Sequence, residues 1–194
     1  MATTSFFPSK NLACYGDGGA VYTNDQELAE RLRKLGSHGQ VKRYHHDYIG
    51  INSRLDTIQA AVLNVKLNVL DSYILHRQNT ADTYDTLLSK NPCIICPKRM
   101  AYSSHVFHQY TIRVLNNKRD QLQSYLYEKG VSSSVHYPMP VYRQNAYKHT
   151  VDDSFYLSNS EMLSNEVLSL PIDTEITKDQ ITYICNHINS FFNI

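Results

Sequence analysis

The sequence of 194 residues lacks several features that mark whole classes of protein. Its formal net charge is only +1, so no bulk excess of charge favours nucleic acid or an anionic membrane. No apolar run approaches the roughly 18 residues of a membrane-spanning helix, and no basic segment followed by an apolar one stands at the N-terminus. Internal repeats and low-complexity tracts are also absent. We therefore expect a cytoplasmic globular protein, whose 42% apolar content provides one sizeable core or two small ones.

Cysteine is scarce, and four cysteines in a chain without secretory features favour reduced thiols over disulfides. Cys93 and Cys96 have the spacing of a metal-binding or redox pair, and His105 and His108 follow. Residues 106–114 alternate apolar and polar side chains like a strand, so the histidines are expected to point to opposite faces. Cys93 and Cys96 are also three residues apart, so in an extended segment they too would point to opposite faces. The gap between the cysteine pair and the histidine pair is also short for a zinc finger. We therefore predict no metal site, and a zinc or nucleic-acid module is the weakest interpretation.

One lysine stands in an unusual setting. Lys10 follows an aromatic pair and a proline and precedes a short apolar run, in the sequence SFFPSKNLACY. Semi-apolar surroundings disfavour the charged form of an amine and make it available as a nucleophile toward an aldehyde. This is the chemistry of a Schiff-base lysine. The alternative is a solvated lysine at a loop edge, which is the commoner environment for this residue type.

The segment after the lysine predicts a turn, a strand and a helix. A glycine-rich turn at residues 16–19 leads into a short strand at 20–23, so it offers no helix N-terminus to a nucleotide phosphate. Thr23 and Gln26 have the spacing of a capping box for a helix at about 25–35, and Gly36 follows that helix.

Residues 37–50 form a polar loop, called the basic loop below, which contains Lys42, Arg43, His45 and His46. It is either a solvated loop or an anion-binding site for the phosphates of a cofactor or a nucleotide sugar. Nucleic acid would require a broader patch with more interleaved aromatic residues.

The rest of the pattern predicts a long helix and then a compact α+β domain. Asn52 or Ser53 is expected to cap a helix that continues to about residue 88, a length of roughly 50 Å. The elements predicted beyond it are a strand at 106–114, a helix at 118–129, an extended segment at 131–136, and helices at 158–168 and 178–192, the last capped by Thr177.

The lysine segment also resembles a known family. Residues 5–11 and 16–21 are closely similar to the lysine segment of the DegT/DnrJ/EryC1/StrS family of sugar aminotransferases that use pyridoxal phosphate. The similarity continues in family order over nearly the whole chain. The further matching blocks are Glu27-Leu28-Ala29, His38-Gly39, Gly50-Ile51-Asn52-Ser53-Arg54-Leu55-Asp56, Gln59-Ala60-Ala61, His136-Tyr137-Pro138 and Leu168-Ser169-Leu170-Pro171.

The resemblance implies an α/β fold, namely the carboxyl-terminal half of a fold type I pyridoxal phosphate aminotransferase. Residues 1–52 would be a remnant of the large cofactor-binding domain, 53–90 the long interdomain helix, and 91–194 a small α+β domain. Family members are roughly twice as long, a size typical of a two-domain enzyme, and have their lysine near the middle. The chain is therefore expected to correspond to the second half of such an enzyme.

The same resemblance implies roles for individual residues. Lys10 would hold the cofactor as a Schiff base and shuttle a proton, and Ser5 would donate its hydroxyl to the cofactor phosphate. Asn52 would reach the phosphate in a neighbouring subunit, so that a homodimer shares its active sites; the alternative is a helix cap. The positions that match those facing the sugar nucleotide in relatives are Arg54, His136 and Tyr137. For Arg54 the alternative is a pairing with a nearby acid, and for His136 it is simple packing.

The basic loop and the residues after it look most like relatives that aminate C3 of a UDP-linked 3-keto-N-acetylglucosaminuronic acid. Glutamate would be the amino donor, and the product would serve surface polysaccharide biosynthesis. In the family, the acid that pairs with the pyridine nitrogen and the groups that cover the ring and cradle the phosphate precede the lysine. We therefore expect this chain alone to be incomplete and inactive, so that an active enzyme would need the first half to be supplied separately. The alternative is a non-catalytic relative that acts only as a folded or dimerising module.

Overall fold

The computed structural model describes residues 1–152 and 154–194. The chain divides into two compact units, an amino-terminal unit of Met1–Tyr73 and a carboxyl-terminal unit of Ile74–Ile194. The boundary falls inside a helix, α3 (Leu70–Leu88). The assignment of residues 1–52, 53–90 and 91–194 to domains of a larger enzyme remains a prediction.

The amino-terminal unit contains two antiparallel strand pairs and two helices. In chain order its elements are β1 (Ala2–Ser5), β2 (Gly19–Tyr22), α1 (Gln26–Leu35), β3 (Gln40–Lys42), β4 (His45–His46) and α2 (Thr57–Leu67). Strand β1 pairs with β2 and β3 pairs with β4. A small core of Phe6, Cys14 and Leu63 joins the segments that flank the lysine to α2. Removing these apolar groups from water is the main term that holds a segment without regular structure in place.

Helix α1 begins and ends close to the predicted bounds, but its cap is different. The Asp25 carboxylate accepts a hydrogen bond from the Leu28 amide at 3.0 Å, while the Thr23 hydroxyl accepts one from the Asp25 amide at 3.1 Å. The predicted capping box from Thr23 and Gln26 is therefore wrong by two residues. Aspartate is as good an N-cap as threonine and also places negative charge at the positive end of the helix dipole.

The long helix predicted from Ser53 to about residue 88 is divided into α2 and α3, and Asn52 and Ser53 cap neither of them. Asn52 forms an isolated antiparallel bridge with Ser37, so its backbone is extended. The break lies at Asn68 and Val69. The Asn68 side chain donates to the Asn64 carbonyl at 3.0 Å and the Ser72 hydroxyl donates to the Val69 carbonyl at 2.7 Å. Such local side-chain bonds compete with helix propagation.

The carboxyl-terminal unit is built on a three-stranded antiparallel sheet of order β5-β6-β7. Its elements after α3 are β5 (Ile94–Ile95), β6 (Tyr110–Val114), α4 (Arg119–Glu128), α5 (Ser158–Glu166), β7 (Val167–Leu170) and α6 (Lys178–Phe191), with short 3-10 helices at Val141–Arg143 and Lys148–Thr150. Helices α3, α4 and α6 and the inner face of the sheet enclose one core. Its largest fully buried side chains are Tyr84, Tyr110, Phe107, Leu88, Ile112, Leu122, Leu126, Leu168 and Ile188.

Most elements predicted for this unit are found, with three differences. The strand predicted at 106–114 is limited to Tyr110–Val114, and the segment predicted as extended at 131–136 contributes only a bridge between Ser134 and Ser169. The helix predicted at 158–168 ends at Glu166, where β7 begins. The predicted Thr177 cap of α6 is confirmed, and Gln180 completes it as a capping box by exchanging hydrogen bonds with Thr177. Over the described residues, no helix has the length and apolar character needed to cross a membrane.

Candidate active site

The loop that contains Lys10 is held by a short set of hydrogen bonds at its base. Residues 6–14 are called the lysine loop. The Phe6 amide donates to the Gly18 carbonyl at 2.7 Å, and the Cys14 amide donates to the Phe6 carbonyl at 2.9 Å. Phe6 and Cys14 are buried, whereas Lys10 at the middle of the loop is partly buried. The loop therefore presents the lysine from a fixed base.

Two of the predicted site residues meet at Phe7. The Phe7 amide donates to the Ser5 hydroxyl oxygen at 3.2 Å, and the Phe7 carbonyl accepts from the Lys10 amide at 2.8 Å. These bonds tie the side chain of Ser5 and the backbone of Lys10 to one residue. Because Ser5 acts here as an acceptor, its own hydroxyl proton remains available to donate elsewhere.

The glycines that follow the lysine loop are required because other segments of the same chain approach them closely. A Cβ atom on Gly19 would lie 2.8 Å from the Thr4 carbonyl oxygen, and one on Gly18 would lie 2.9 Å from the Cys14 sulfur. Ordinary contacts to a Cβ are longer than these distances, so a side chain at either position would push β1 or the lysine loop away.

Gln59 on α2 braces the turn that follows the lysine loop. Its side-chain carbonyl accepts a hydrogen bond from the Tyr15 amide at 2.8 Å, and its amide nitrogen would lie 2.9 Å from a Cβ on Gly16. Sequence reasoning matched Gln59 to the family but gave it no role. The signal was present as a polar residue in an otherwise apolar helical stretch.

Asn52 and Arg54 are exposed and joined by one hydrogen bond. The Nε atom of Arg54 donates to Oδ1 of Asn52 at 3.1 Å. The partner of Arg54 is thus an amide and not the acid considered as an alternative. This bond occupies the oxygen of Asn52 and leaves its Nδ2 group, which has no partner in residues 1–152 and 154–194.

The basic loop folds as a hairpin whose ends cross closely. Gly39 has a φ of +71°, and a Cβ there would lie 1.7 Å from the Tyr48 carbonyl oxygen, so only glycine fits. His46 donates from Nδ1 to the His38 carbonyl at 2.9 Å, and the guanidinium of Arg43 lies 5.0 Å from the ring centre of Tyr44. The basic side chains on this hairpin are exposed, as an anion-binding site would need.

His136 and Tyr137 belong to the carboxyl-terminal unit. His136 is exposed and its Nδ1 atom lies 3.2 Å from the hydroxyl oxygen of Ser169, while Tyr137 is 73% exposed. The two rings meet edge to face with centroids 5.5 Å apart. The other predicted site residues, Ser5, Lys10, Asn52 and Arg54, belong to the amino-terminal unit.

The described residues include no group of three or more histidine, cysteine, aspartate or glutamate side chains placed to hold a metal ion. Cys93 and Cys96 flank β5 and are free thiols. Burial raises the pKa of Cys96, which opposes the thiolate form that metal binding requires. The groups beside Cys96 are Tyr110 and Asp85, and they are joined to each other by a hydrogen bond from the Tyr110 hydroxyl to the Asp85 carboxylate at 2.6 Å.

Comparison with known proteins defines the class of protein to which these features belong. The chain is 42% identical over 193 residues to the "Pleiotropic regulatory protein" of Geobacillus stearothermophilus, covering 98% of this chain and 51% of that one. It is 43% identical over 185 residues to the "UDP-2-acetamido-2-deoxy-3-oxo-D-glucuronate aminotransferase" of Pseudomonas aeruginosa, covering 95% and 50%. It superimposes on the crystal structure of Streptomyces venezuelae DesV in complex with a ketimine intermediate with a TM-score of 0.92 and 39% identity, covering 97% and 50%.

The model of the DegT/DnrJ/EryC1/StrS aminotransferase family matches residues 1–189, and the chain belongs to this family. The predicted family and the predicted fold, which is that of part of a pyridoxal phosphate aminotransferase, are confirmed. The chain spans about half the length of the curated relatives it matches.

The residues present fit pyridoxal phosphate, the cofactor on which this family depends. A hydroxyl donor on Ser5 and an amide donor on Asn52 suit the oxygens of a phosphate group. A partly buried primary amine on Lys10 suits an aldehyde. The close contacts at Gly18 and Gly19 fix the backbone from which Ser5 and Lys10 project.

Proposed function

We propose that this chain carries the Schiff-base lysine of a pyridoxal phosphate-dependent sugar aminotransferase, and that the reaction moves an amino group from glutamate to a nucleotide-linked keto sugar. The observation that carries the proposal is the placement of Lys10 on a loop fixed by Phe6, Cys14 and Gly18, in a chain that matches the family over residues 1–189. The cofactor, when bound, supplies the electron sink for the carbanion at the reacting carbon. Every other task in the reaction falls to side chains.

Lys10 has two tasks in this proposal. Its amine holds the cofactor covalently between turnovers, and it then acts as general base and general acid. As a base it takes the proton from the α-carbon of glutamate, and in the second half-reaction it returns a proton at the carbon of the sugar that receives the amine. Because the loop fixes the backbone of Lys10, the amine would reach both positions through changes in its side-chain torsions alone.

Ser5 and Asn52 are proposed to bind the cofactor phosphate through their free donors. Asn52 would do so in a neighbouring copy of the chain, which makes the active site a shared property of a homodimer. The Arg54 bond to Asn52 links substrate binding to cofactor binding, because a change at either side chain displaces the other.

The substrate is proposed to be a UDP-linked 3-keto-hexuronate, used in surface polysaccharide biosynthesis in the cytoplasm. The support is the 43% identity to the Pseudomonas aeruginosa enzyme named above and the supply of cations at Arg54 and in the basic loop. The carboxylate of the sugar would bind the Nη atoms of Arg54, which form a bidentate fork for such a group. His136 and Tyr137 are also proposed to contact a sugar nucleotide, as the family resemblance implies.

We further propose that these 194 residues alone bind pyridoxal phosphate weakly and have little or no transaminase activity. The nine residues before Lys10 include no acidic side chain, and the family places the acid that protonates the pyridine nitrogen ahead of the lysine. Treating the purified chain with pyridoxal phosphate and borohydride, followed by mass spectrometry, tests this directly. We expect only a minor adduct, and a stoichiometric adduct at Lys10 would contradict the proposed weak affinity.

A chimaera tests the function itself. The segment of the Pseudomonas aeruginosa aminotransferase that aligns with this chain is replaced by these 194 residues. We expect glutamate-dependent amination of that enzyme's keto sugar, and complete loss of activity on Lys10→Ala. Lys34→Ala, which changes a partly exposed lysine on α1, is the matched control. A folded chimaera that turns over equally well with Lys10→Ala would refute the proposal.

A further inference from the structure

A line of side-chain hydrogen bonds connects His136 to the middle of the sheet of the carboxyl-terminal unit. The Ser169 hydroxyl lies 3.2 Å from Nδ1 of His136 and 2.9 Å from the Thr111 hydroxyl. Ser169 is only 3% exposed, whereas His136 is exposed. Neither Ser169 nor Thr111 has a role in the proposed function so far.

Strand pairing explains why these three residues meet. Ser169 lies opposite Thr111 in the β6–β7 pair and opposite Ser134 in an isolated bridge, where both backbone bonds form, at 2.8 and 3.1 Å. His136 is two residues beyond Ser134, so extended backbone brings its side chain to the same face as that of Ser134. Ser169 is thus held by backbone bonds on one side and by the β6 ladder on the other. Its hydroxyl is a rigid anchor for the imidazole.

The single hydroxyl proton of Ser169 allows two arrangements. In one, Thr111 donates to Ser169 and Ser169 donates to His136, so that Nδ1 is an acceptor and the ring proton is on Nε2. In the other, His136 donates from Nδ1 and Nε2 is left as an acceptor. Nε2 has no partner in the part of the chain that the structure describes. Thr111 is partly exposed and needs no acceptor other than Ser169 in the first arrangement.

We propose that Ser169, supported by Thr111, is a positioning residue that holds His136 in the Nε2–H tautomer and presents this N–H to an oxygen atom of the sugar nucleotide. The inference rests on the proposed function for the identity of the substrate, whose carboxylate and diphosphate oxygens are acceptors only. An imidazole that offered a bare Nε2 would oppose them. Ser169 itself does not touch the substrate.

Nuclear magnetic resonance of the 194-residue chain tests the positioning without any cofactor or turnover. Long-range proton–nitrogen correlation spectra distinguish the two neutral tautomers, and loss of a signal set in His136→Gln assigns His136 among the nine histidines. We expect the Nε2–H pattern in the parent chain. Ser169→Ala and Thr111→Val are expected to give an averaged pattern of exchanging tautomers, while Thr111→Ser, which keeps the hydroxyl, retains the parent pattern.

Ser164→Ala is the matched control, because Ser164 is also buried but donates to the Glu161 carbonyl at 2.8 Å and not to His136. Thr111→Val preserves the shape of the side chain, so it keeps the test valid if Ser169→Ala perturbs folding. An Nδ1–H pattern in the parent chain would overturn the inference. So would an Nε2–H pattern that survives both Ser169→Ala and Thr111→Val.

Kinetics of the chimaera then separate positioning from the proposed function. Loss of one neutral hydrogen bond corresponds to roughly a 2-fold to 12-fold change in binding. We expect Thr111→Val and Ser169→Ala to raise the KM for the sugar nucleotide in this range, with the KM for glutamate unchanged and the parent value restored by Thr111→Ser. If His136→Ala leaves that KM unchanged, the proposed substrate contact is wrong, whatever the tautomer.

Discussion

The carbonyl oxygen of Phe6 accepts two hydrogen bonds from Cys14, one from the backbone amide at 2.9 Å and one from the sulfur at 3.1 Å. The same sulfur lies 3.0 Å from the Gly16 carbonyl. Cys14 therefore closes the lysine loop and also fixes the turn that follows it. The fully buried thiol four residues from the lysine therefore has a structural role.

Cys14→Ala removes the single thiol donor that the Phe6 and Gly16 carbonyls share, and it leaves a small cavity. We expect the free energy of unfolding of the amino-terminal unit to fall by about 1–2 kcal/mol. Urea denaturation measures this change in free energy. Hydrogen exchange at the Cys14 and Lys10 amides then reports on the lysine loop itself, because both amides donate within the loop.

Cys93→Ala is the control for this experiment, because Cys93 is partly exposed and lies in the other unit. It is expected to leave exchange in the lysine loop unchanged. Equal protection of the loop amides in Cys14→Ala and the parent chain would show that the backbone bonds alone hold the loop.

The lysine loop also shows how far sequence reasoning reaches. The motif around Lys10 led to the prediction that this residue is chemically special, but it did not predict how the loop is held. The Gln59 bond joins segments 44 residues apart, and the Cys14 bonds depend on how the chain folds back on itself. Strand β7 was missed for a related reason. Its residues continue the helical pattern of α5, and only pairing with β6 makes Val167–Leu170 extended.

Arg54 provides a test of substrate recognition in the chimaera. Arg54→Lys keeps the charge but removes the guanidinium fork and the Nε bond to Asn52. A hydrogen bond between charged groups contributes about 1.5–3 kcal/mol, so we expect the KM for the keto-uronate to rise by roughly 10-fold to 100-fold. Steady-state kinetics with the acidic sugar, and with the analogue that has a hydroxymethyl group in its place, make the comparison.

The KM for the analogue is expected to rise much less in Arg54→Lys, because the analogue has no carboxylate for the guanidinium fork to bind. Arg33→Lys on α1 is the control for a general effect of the substitution, since Arg33 is exposed. Equal losses with the two sugars would place Arg54 away from the carboxylate.

Arg77 holds the carboxyl-terminal unit together from inside. Its Nη1 atom donates to the carbonyl oxygens of Phe107, His108 and Ile172 at 3.1, 3.3 and 3.1 Å, and the residue is 7% exposed. Burial lowers the pKa of Arg77, and the nearby Asp173 opposes this change. The charged Arg77 side chain thus donates hydrogen bonds to three carbonyl oxygens that backbone amides do not reach.

Arg77→Ala leaves these carbonyls without their donor in a buried place. We expect a loss on the order of 3 kcal/mol in the free energy of unfolding, measured by chemical denaturation. Arg99→Ala is the comparison within the same unit. Arg99 pairs with Asp82 and Asp85 at 2.5 and 2.6 Å but is exposed, so its loss is expected to be about 1 kcal/mol or less. A smaller loss for Arg77→Ala than for Arg99→Ala would contradict the assignment.

Nothing in the sequence distinguishes Arg77 from an arginine on the solvent side of a helix. Its burial follows from two chain segments that return to α3 from 30 and 95 residues away. Ser169 is a similar case, because its block matched the family while its contacts with Thr111 and His136 depend on strand register. The local sequence pattern predicted the helices of this unit well. It did not predict the burial of Arg77 or the contacts of Ser169, because these depend on tertiary hydrogen bonds.

The segment after Tyr137 is tied to α5 by one carboxylate. Glu161 accepts hydrogen bonds from the Tyr142 hydroxyl and from Nε of Arg143, the latter at 2.5 Å. The Tyr142 ring also meets Phe155 edge to face at 5.2 Å. The hydrogen bonds from Tyr142 and Arg143 lower the pKa of Glu161 below its ordinary value of 4.5.

A carboxyl group whose pKa is lowered by folding stabilises the folded state at pH values above its unfolded pKa, and this contribution is lost as the pH falls through the folded pKa. We therefore expect Glu161→Gln to be less stable than the parent chain at neutral pH, with a difference that is constant above pH 4.5 and shrinks at lower pH. Urea denaturation at a series of pH values measures the difference. Glu128→Gln, at an exposed position in α4, is expected to show no such dependence. A difference between Glu161→Gln and the parent that grows as the pH falls would mean that the protonated carboxyl is the better partner for Tyr142 and Arg143.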